Sequence, residues 1–195
     1  MPNLEYYVMD TKYDETYPTL AARNECPHTY DYVVDCEKID NPETSEFQFR
    51  HPIPSKPVFG DYFDAQTKPV VSEKIKFILE PLNLPGVQFI PAKIYDNKGN
   101  IHENYFFMNI YNLIMVVDRE NSTYRTSFAN DPDCLFLDRF SLNKKVLENI
   151  PLDERLIFLL KESKITKIVH SSIVQLILKE NPKGIGFTPV EDWHN

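Results

Sequence analysis

At 195 residues and 42% apolar content, the chain is long enough to bury roughly 70% of the surface that its unfolded form exposes, so a core forms without staples. Apolar runs such as Leu113–Val117 fall far short of a bilayer span, and three cysteines at irregular spacing (Cys26, Cys36, Cys134) make no disulfide framework. The formal charge of −8 argues against nucleic acid as a direct ligand, because phosphate binding needs a basic face.

The opening Met1-Pro2-Asn3-Leu4-Glu5 has neither a basic start nor an apolar signal core, so a cytoplasmic location is expected. Leu4–Met9 is β-rich and Asp10–Pro18 is a polar turn region. Tyr30–Cys36 reads as a second strand, and Glu46–Phe49 alternates polar and aromatic residues like a short third one. Charge concentrates here: residues 1–64 hold 13 Asp+Glu against 5 Lys+Arg, while the rest of the chain balances at 16 of each. The same stretch carries seven of the eleven tyrosines, Tyr6, Tyr7, Tyr13, Tyr17, Tyr30, Tyr32 and Tyr62. An acidic face seeded with tyrosine suits docking of a basic protein, because the charge steers encounter and the rings supply anchors. The plain alternative is a solvated acidic face whose tyrosines cap a small β-core. His51–Pro57 then places three prolines in seven residues, a stiff extended connector. It divides an acidic, Tyr-rich β segment (1–58) from an α+β portion (59–195), both expected within one globule.

Beyond the connector the chain repeats itself at a spacing of 98 residues without a gap. Val71/Val169, Ile75/Ile173, Asn83/Asn181, Gly86/Gly184, Phe89/Phe187 and Pro91/Pro189 are identical pairs, and Tyr95 falls in register with Trp193. In each copy (71–95 and 169–193) a serine stands at a helix start, Ser72 in the first and Ser171 one position later in the second. Ile75, Ile78, Leu79 and Leu82 then mark one apolar helix face, repeated by Ile173, Leu176 and Ile177. Asn and Gly end the helix and a short strand runs to proline, so each copy is a helix–turn–strand unit. Between the copies, Val87–Tyr95 and Ile101–Asn109 flank a hairpin turn at Asp96–Asn100. Asn109–Asp118 is open between helix and buried strand, while Cys134–Leu142 and Leu156–Leu160 read as strands. The fold class is α+β, mainly antiparallel strands with a few short helices.

Catalytic signatures are missing from the sequence. Five glycines occur, none in phosphate-loop spacing, and no G-x-S-x-G elbow is present. Cys26-Pro27-His28 with Cys36 offers three soft ligands but not the paired spacing of a zinc site, so no metal or cofactor is expected. His170-Ser171-Ser172 suits helix capping better than nucleophilic catalysis, and Asp118-Arg119-Glu120 and Asp131-Pro132-Asp133 suit solvated turns. The chain reads as a binder, not an enzyme.

Several stretches carry a resemblance: Glu5–Met9, Val70–Ile75, Gly86–Ala92, Tyr105–Asn109, Val117–Ser122 and Gly184–Val190. Together they resemble the eleventh immunity-protein family of bacterial polymorphic toxin systems, over nearly the whole chain and most securely over 60–193, with residues 14–58 matching poorly. The resemblance implies a protein that binds and neutralises one cognate toxin. That toxin would be delivered by a contact-dependent machine such as type VI secretion, and would be plausible as an AHH-type nuclease, whose basic cleft an acidic inhibitor complements. The expected contact residues are Tyr13, Asp14, Glu15, Tyr17, Tyr30, Asp31 and Tyr32. An enzyme that reverses toxin damage is the alternative. A self-associating regulatory module, a homodimer through exposed strand edges, is a third.

Overall fold

The computed structural model describes residues 5–12, 14–23, 36–65, 68–128 and 131–195. Its organising feature is the repeat, and each copy proves to be larger than a helix and one strand. In the first copy β5 (Lys68–Ser72) leads into α1 (Glu73–Leu79) and the chain returns as β6 (Val87–Tyr95). Both strands run antiparallel to β7 (Ile101–Ile110), which lies between them. In the second copy β12 (Ser163–His170), α3 (Ser171–Lys179) and β13 (Ile185–Pro189) flank β1 (Tyr6–Thr11) in the same way. The register agrees residue for residue. Val71 and Pro91 face Phe106 from its two sides, as Val169 and Pro189 face Tyr7. Phe89 stands opposite Met108, as Phe187 stands opposite Met9. Tyr6-Tyr7-Val8-Met9 is therefore the counterpart of Tyr105-Phe106-Phe107-Met108.

The identical turn residues have a backbone cause. Asn83 and Asn181 both adopt left-handed conformations (φ 48° and 47°), and Gly86 and Gly184 follow at φ 71° and 79°. Asparagine and glycine tolerate that region better than other residues. At Gly184 there is also no room for a side chain, since a Cβ would stand 2.8 Å from the carbonyl oxygen of Tyr62.

The helix starts correct two expectations. Ser72 does occupy the cap position of α1, but its hydroxyl donates to Asp61 Oδ1 (2.8 Å) instead of capping. In the second copy the cap is His170, not Ser171, with the ring Nδ1 accepting from the Ser172 N–H (3.2 Å). Both caps thus fall at matched repeat positions. Of the expected apolar stripes, Ile75, Leu79, Ile173 and Ile177 are buried, joined by Val174. Leu82 and Leu176 are largely exposed, and Leu82 lies past the α-helix in a 3-10 turn entered at Pro81.

Two large sheets result, with orders β13-β1-β12-β11-β8 and β2-β3-β6-β7-β5-β4. Here β2 is Thr19–Ala22, β3 Ser45–Arg50, β4 Tyr62–Ala65, β8 Leu113–Ile114 and β11 Ile157–Leu160. Strands from both sides of the proline-rich stretch enter both sheets. Among the described residues, only β3 with β6 and β8 with β11 pair in parallel. Asn109–Asp118 is accordingly extended, and Val117 bridges Leu142. The expected strand at Cys134 begins earlier, as β10 (Asp131–Arg139) paired with β9 (Thr123–Phe128). Asp131–Asp133 therefore opens a strand and is no turn, and Asp133 pairs with Arg119 (2.8 Å). The expected strand Tyr30–Cys36 lies outside the described residues except for Cys36, which is buried and non-strand.

Side-chain alternation sorts these elements into layers. Helices α1 and α3 share one cluster with Met9, Val71, Met108, Leu159 and Val169, so they sit between the two sheets. The opposite face of the five-stranded sheet (Tyr6, Val8, Phe158, Leu160, Ile168) is covered by Leu135 and Leu137 of β10 and by Leu147 of α2 (Lys144–Glu148). The six-stranded sheet curls until its edge strands β2 and β4 lie side by side without pairing. Its interior is filled by Leu20, Phe47, Phe49, Phe63, Ile94 and Phe107.

Candidate functional site

The unpaired seam between β2 and β4 opens into a groove of about 430 Å³. Three chain segments build it. The end of β1 and the turn after it supply Lys12, Asp14, Glu15 and Tyr17, and the start of β2 adds Pro18 and Thr19. The proline-rich stretch supplies Pro52, Ile53 and Pro54 as one wall, and β4 supplies Phe63 and Asp64. Backbone hydrogen bonds hold the turn: Tyr17 N–H donates to Asp14 O (3.1 Å) within it, Val58 N–H to Thr16 O (2.9 Å) ties it to the end of the proline-rich stretch, and Lys12 N–H to Gly184 O (2.9 Å) ties it to the residue before β13. The stretch expected to be a connector forms one wall of this groove.

Three of the seven expected contact residues meet here: Asp14, Glu15 and Tyr17. Tyr13, Tyr30, Asp31 and Tyr32 lie outside the described residues. Asp14 and Glu15 are exposed and Tyr17 is half-buried. Asp14 Oδ1 accepts from both the N–H (2.8 Å) and the hydroxyl (2.7 Å) of Thr16. Those two bonds hold its carboxyl below the usual carboxylate range. Below the rim, Asp64 Oδ2 accepts from Lys167 Nζ (2.5 Å), whose side chain is 5% exposed. Asp64 Oδ1 is buried without a hydrogen-bond partner among the described residues. Sequence reasoning missed Asp64 and Phe63, because β4 is four residues long and its alternation is too short to register.

Two of the tyrosines counted as possible anchors have a different task. Tyr62 is fully buried and Tyr6 is 5% exposed. The Tyr62 phenol is raised well above its ordinary pKa by that burial and has no hydrogen-bond partner among the described residues. They are core residues of sheet layers, not surface groups.

A second, more enclosed cavity of about 250 Å³ lies at the other end of β1, over Tyr6, Leu142, Leu147 and Val190, with Glu5, Glu148 and Glu191 along it. Arg155 is fixed there by Glu5 Oε1 (3.0 Å), the Ile150 carbonyl (3.0 Å) and the Tyr6 hydroxyl. A wider depression of about 700 Å³ lies across Ile53 and Pro54 from the seam. Its charged groups are spent internally: Arg23 pairs with Glu46 (3.5 Å), and Asp96 accepts from Lys98 and Asn100 within its turn. The seam groove brings the exposed carboxylates of Asp14 and Glu15 together beside Tyr17.

His170-Ser171-Ser172 is a cap, as expected. Asp118 likewise accepts from the Glu120 N–H within its turn (3.2 Å). Among the described residues no three His, Cys, Asp or Glu side chains converge to hold a metal ion. Cys26 and His28 lie outside those residues. No described helix is long and apolar enough to cross a membrane.

Compared with known proteins, residues 5–192 match the model of one family, described as Immunity protein family (Imm11). No curated protein matches the chain.

Proposed function

The chain belongs to the Imm11 family of immunity proteins, and from that membership, which implies a cognate toxin as partner, we propose that it acts as a stoichiometric blocker of the toxin. The observation that carries this reading is the seam groove, where Asp14, Glu15 and Tyr17 stand together beside apolar residues. A surface of that kind binds through steering charge and a few buried anchors. The excess negative charge of residues 1–64 complements a basic partner, as the DNA-binding cleft of a contact-delivered nuclease would be. Protection then takes place in the cytoplasm, where DNA lies. An interface of about 1,600 Å² would extend past the groove onto neighbouring surface, with Tyr13, Tyr30, Asp31 and Tyr32 as further proposed contacts.

One observation favours the damage-reversing alternative, namely the enclosed cavity with Arg155, Glu5 and Tyr6. A titration separates the two. Toxin activity is measured against increasing amounts of the protein; a blocker abolishes it close to one-to-one. Full protection at a small fraction of the toxin concentration would establish turnover and retire blocking.

A further inference from the structure

The groove specifies the kind of group that it accepts. Three carboxylates, Asp14, Glu15 and Asp64, line it against one cation, Lys12. Lys167 already offsets Asp64, so the uncommitted charge sits on the rim. Asp14 Oδ1 is taken by Thr16, leaving its second oxygen and the Glu15 carboxylate exposed to an incoming donor. Beneath them the half-buried Ile53 gives an apolar floor, backed by the core residue Phe63, and Tyr17 stands alongside. An acidic rim over an apolar floor suits a side chain with an aliphatic stem and a charged head. A planar guanidinium with several donors can serve two carboxylates at once and can lie against an aromatic ring, which a compact ammonium does less well.

We propose that the seam groove is a socket for one arginine side chain carried on an extended basic segment of the toxin. This rests on the reading of the chain as a toxin binder through its acidic face, and it names the anchor. The volume of about 430 Å³ exceeds the need of one side chain and leaves space for the flanking backbone. Pro18, Pro52 and Pro54 restrict the frame, so little conformational freedom is lost when the socket fills. Nucleic acid is excluded by the sign of the charge, and an acidic segment of a second copy would be repelled.

The test uses the full chain, isotope-labelled, titrated with acetyl-Gly-Arg-Gly-amide while amide NMR signals are followed. Parallel titrations use the same peptide with citrulline, which keeps the shape and loses the charge, and with lysine. The arginine peptide is expected to give saturable shifts at Glu15, Tyr17 and Phe63, with citrulline at least about tenfold weaker. The surface variant Asp14→Asn/Glu15→Gln, which retains an acceptor for Thr16, should lose about tenfold in affinity. Shifts that never saturate, shifts centred elsewhere, or equal binding of citrulline would overturn the socket. Lysine binding as strongly as arginine would overturn the choice of arginine. These outcomes are separate from the toxin titration: one-to-one blocking without peptide binding removes the socket alone, and peptide binding with catalytic protection removes blocking alone.

Discussion

His170 shows how one side chain ties local geometry to solution behaviour. Its ring is 13% exposed, packs edge-on against Tyr6 at 5.3 Å and accepts the Ser172 N–H through Nδ1, with the Ser172 hydroxyl 2.8 Å from the same nitrogen, so the neutral ring is the form that caps the helix. Burial lowers its pKa, opposed by Glu5 (3.7 Å from Nε2) and reinforced by Arg155. The unfolded chain therefore takes up the proton first, near pH 6.5. Stability from the neutral cap is complete above that pH and is lost as pH falls towards the lower folded-state value. The urea midpoint is expected to drop between pH 7.5 and 5.5 by more in the parent than in His170→Asn, which keeps a cap acceptor without a titrating ring. His170→Ala should cost about 1 kcal/mol at neutral pH, as lost caps do. A capping role was legible in His170-Ser171-Ser172, but its register was not. Serine is the stronger generic cap, and nothing local reveals that the Ser171 N–H is already committed to the Glu5 carbonyl (2.8 Å).

At the level of elements, the repeat shows both what the sequence discloses and where it stops. The helix and the returning strand were visible because Asn83/Asn181 and Gly86/Gly184 are needed for left-handed turns. The strands that enter the helices were not, because buried lysines interrupt their apolar pattern: Lys68 is 5% exposed in β5 and Lys167 4% in β12. The central strand was hidden for a different reason. It follows its unit in the first copy as β7 and precedes it in the second as β1, so no gapless comparison can align them. The central strand meets its two neighbours in the same register in both copies, whichever comes first in the chain. A rearranged chain in which residues 2–12 follow Trp193 through a copy of the Asp96–Asn100 turn is expected to fold with the parent's circular dichroism and a cooperative thermal transition. Failure to fold would mean that the two copies agree in register but not in the connections they tolerate. The groove was half legible: Asp14, Glu15 and Tyr17 stand out by charge and type, whereas Phe63 and Asp64 become partners only when β4 meets the start of β2.

Across the whole molecule, all excess negative charge belongs to residues 1–64, yet those residues are spread through both sheets. Charge reversal at the exposed Asp14 and Glu15 is expected to slow association with the toxin about tenfold at low salt, because exposed charge acts mainly on encounter rate. The deficit should shrink when the ionic strength rises to about 1 M, where the screening length falls to roughly 3 Å. Stopped-flow association at two salt concentrations checks both parts, and a salt-independent deficit would mean that the reversals act through local contacts. The placement of β1 bears on biosynthesis. A ribosome releases Tyr6–Thr11 first and its neighbours Ser163–His170 and Ile185–Pro189 last. At about 5–20 residues per second the interval is on the order of ten to thirty seconds. Until then Tyr7, Val8 and Met9 have no ladder to join, and the nascent polypeptide carries a sticky segment that a holding chaperone would shield.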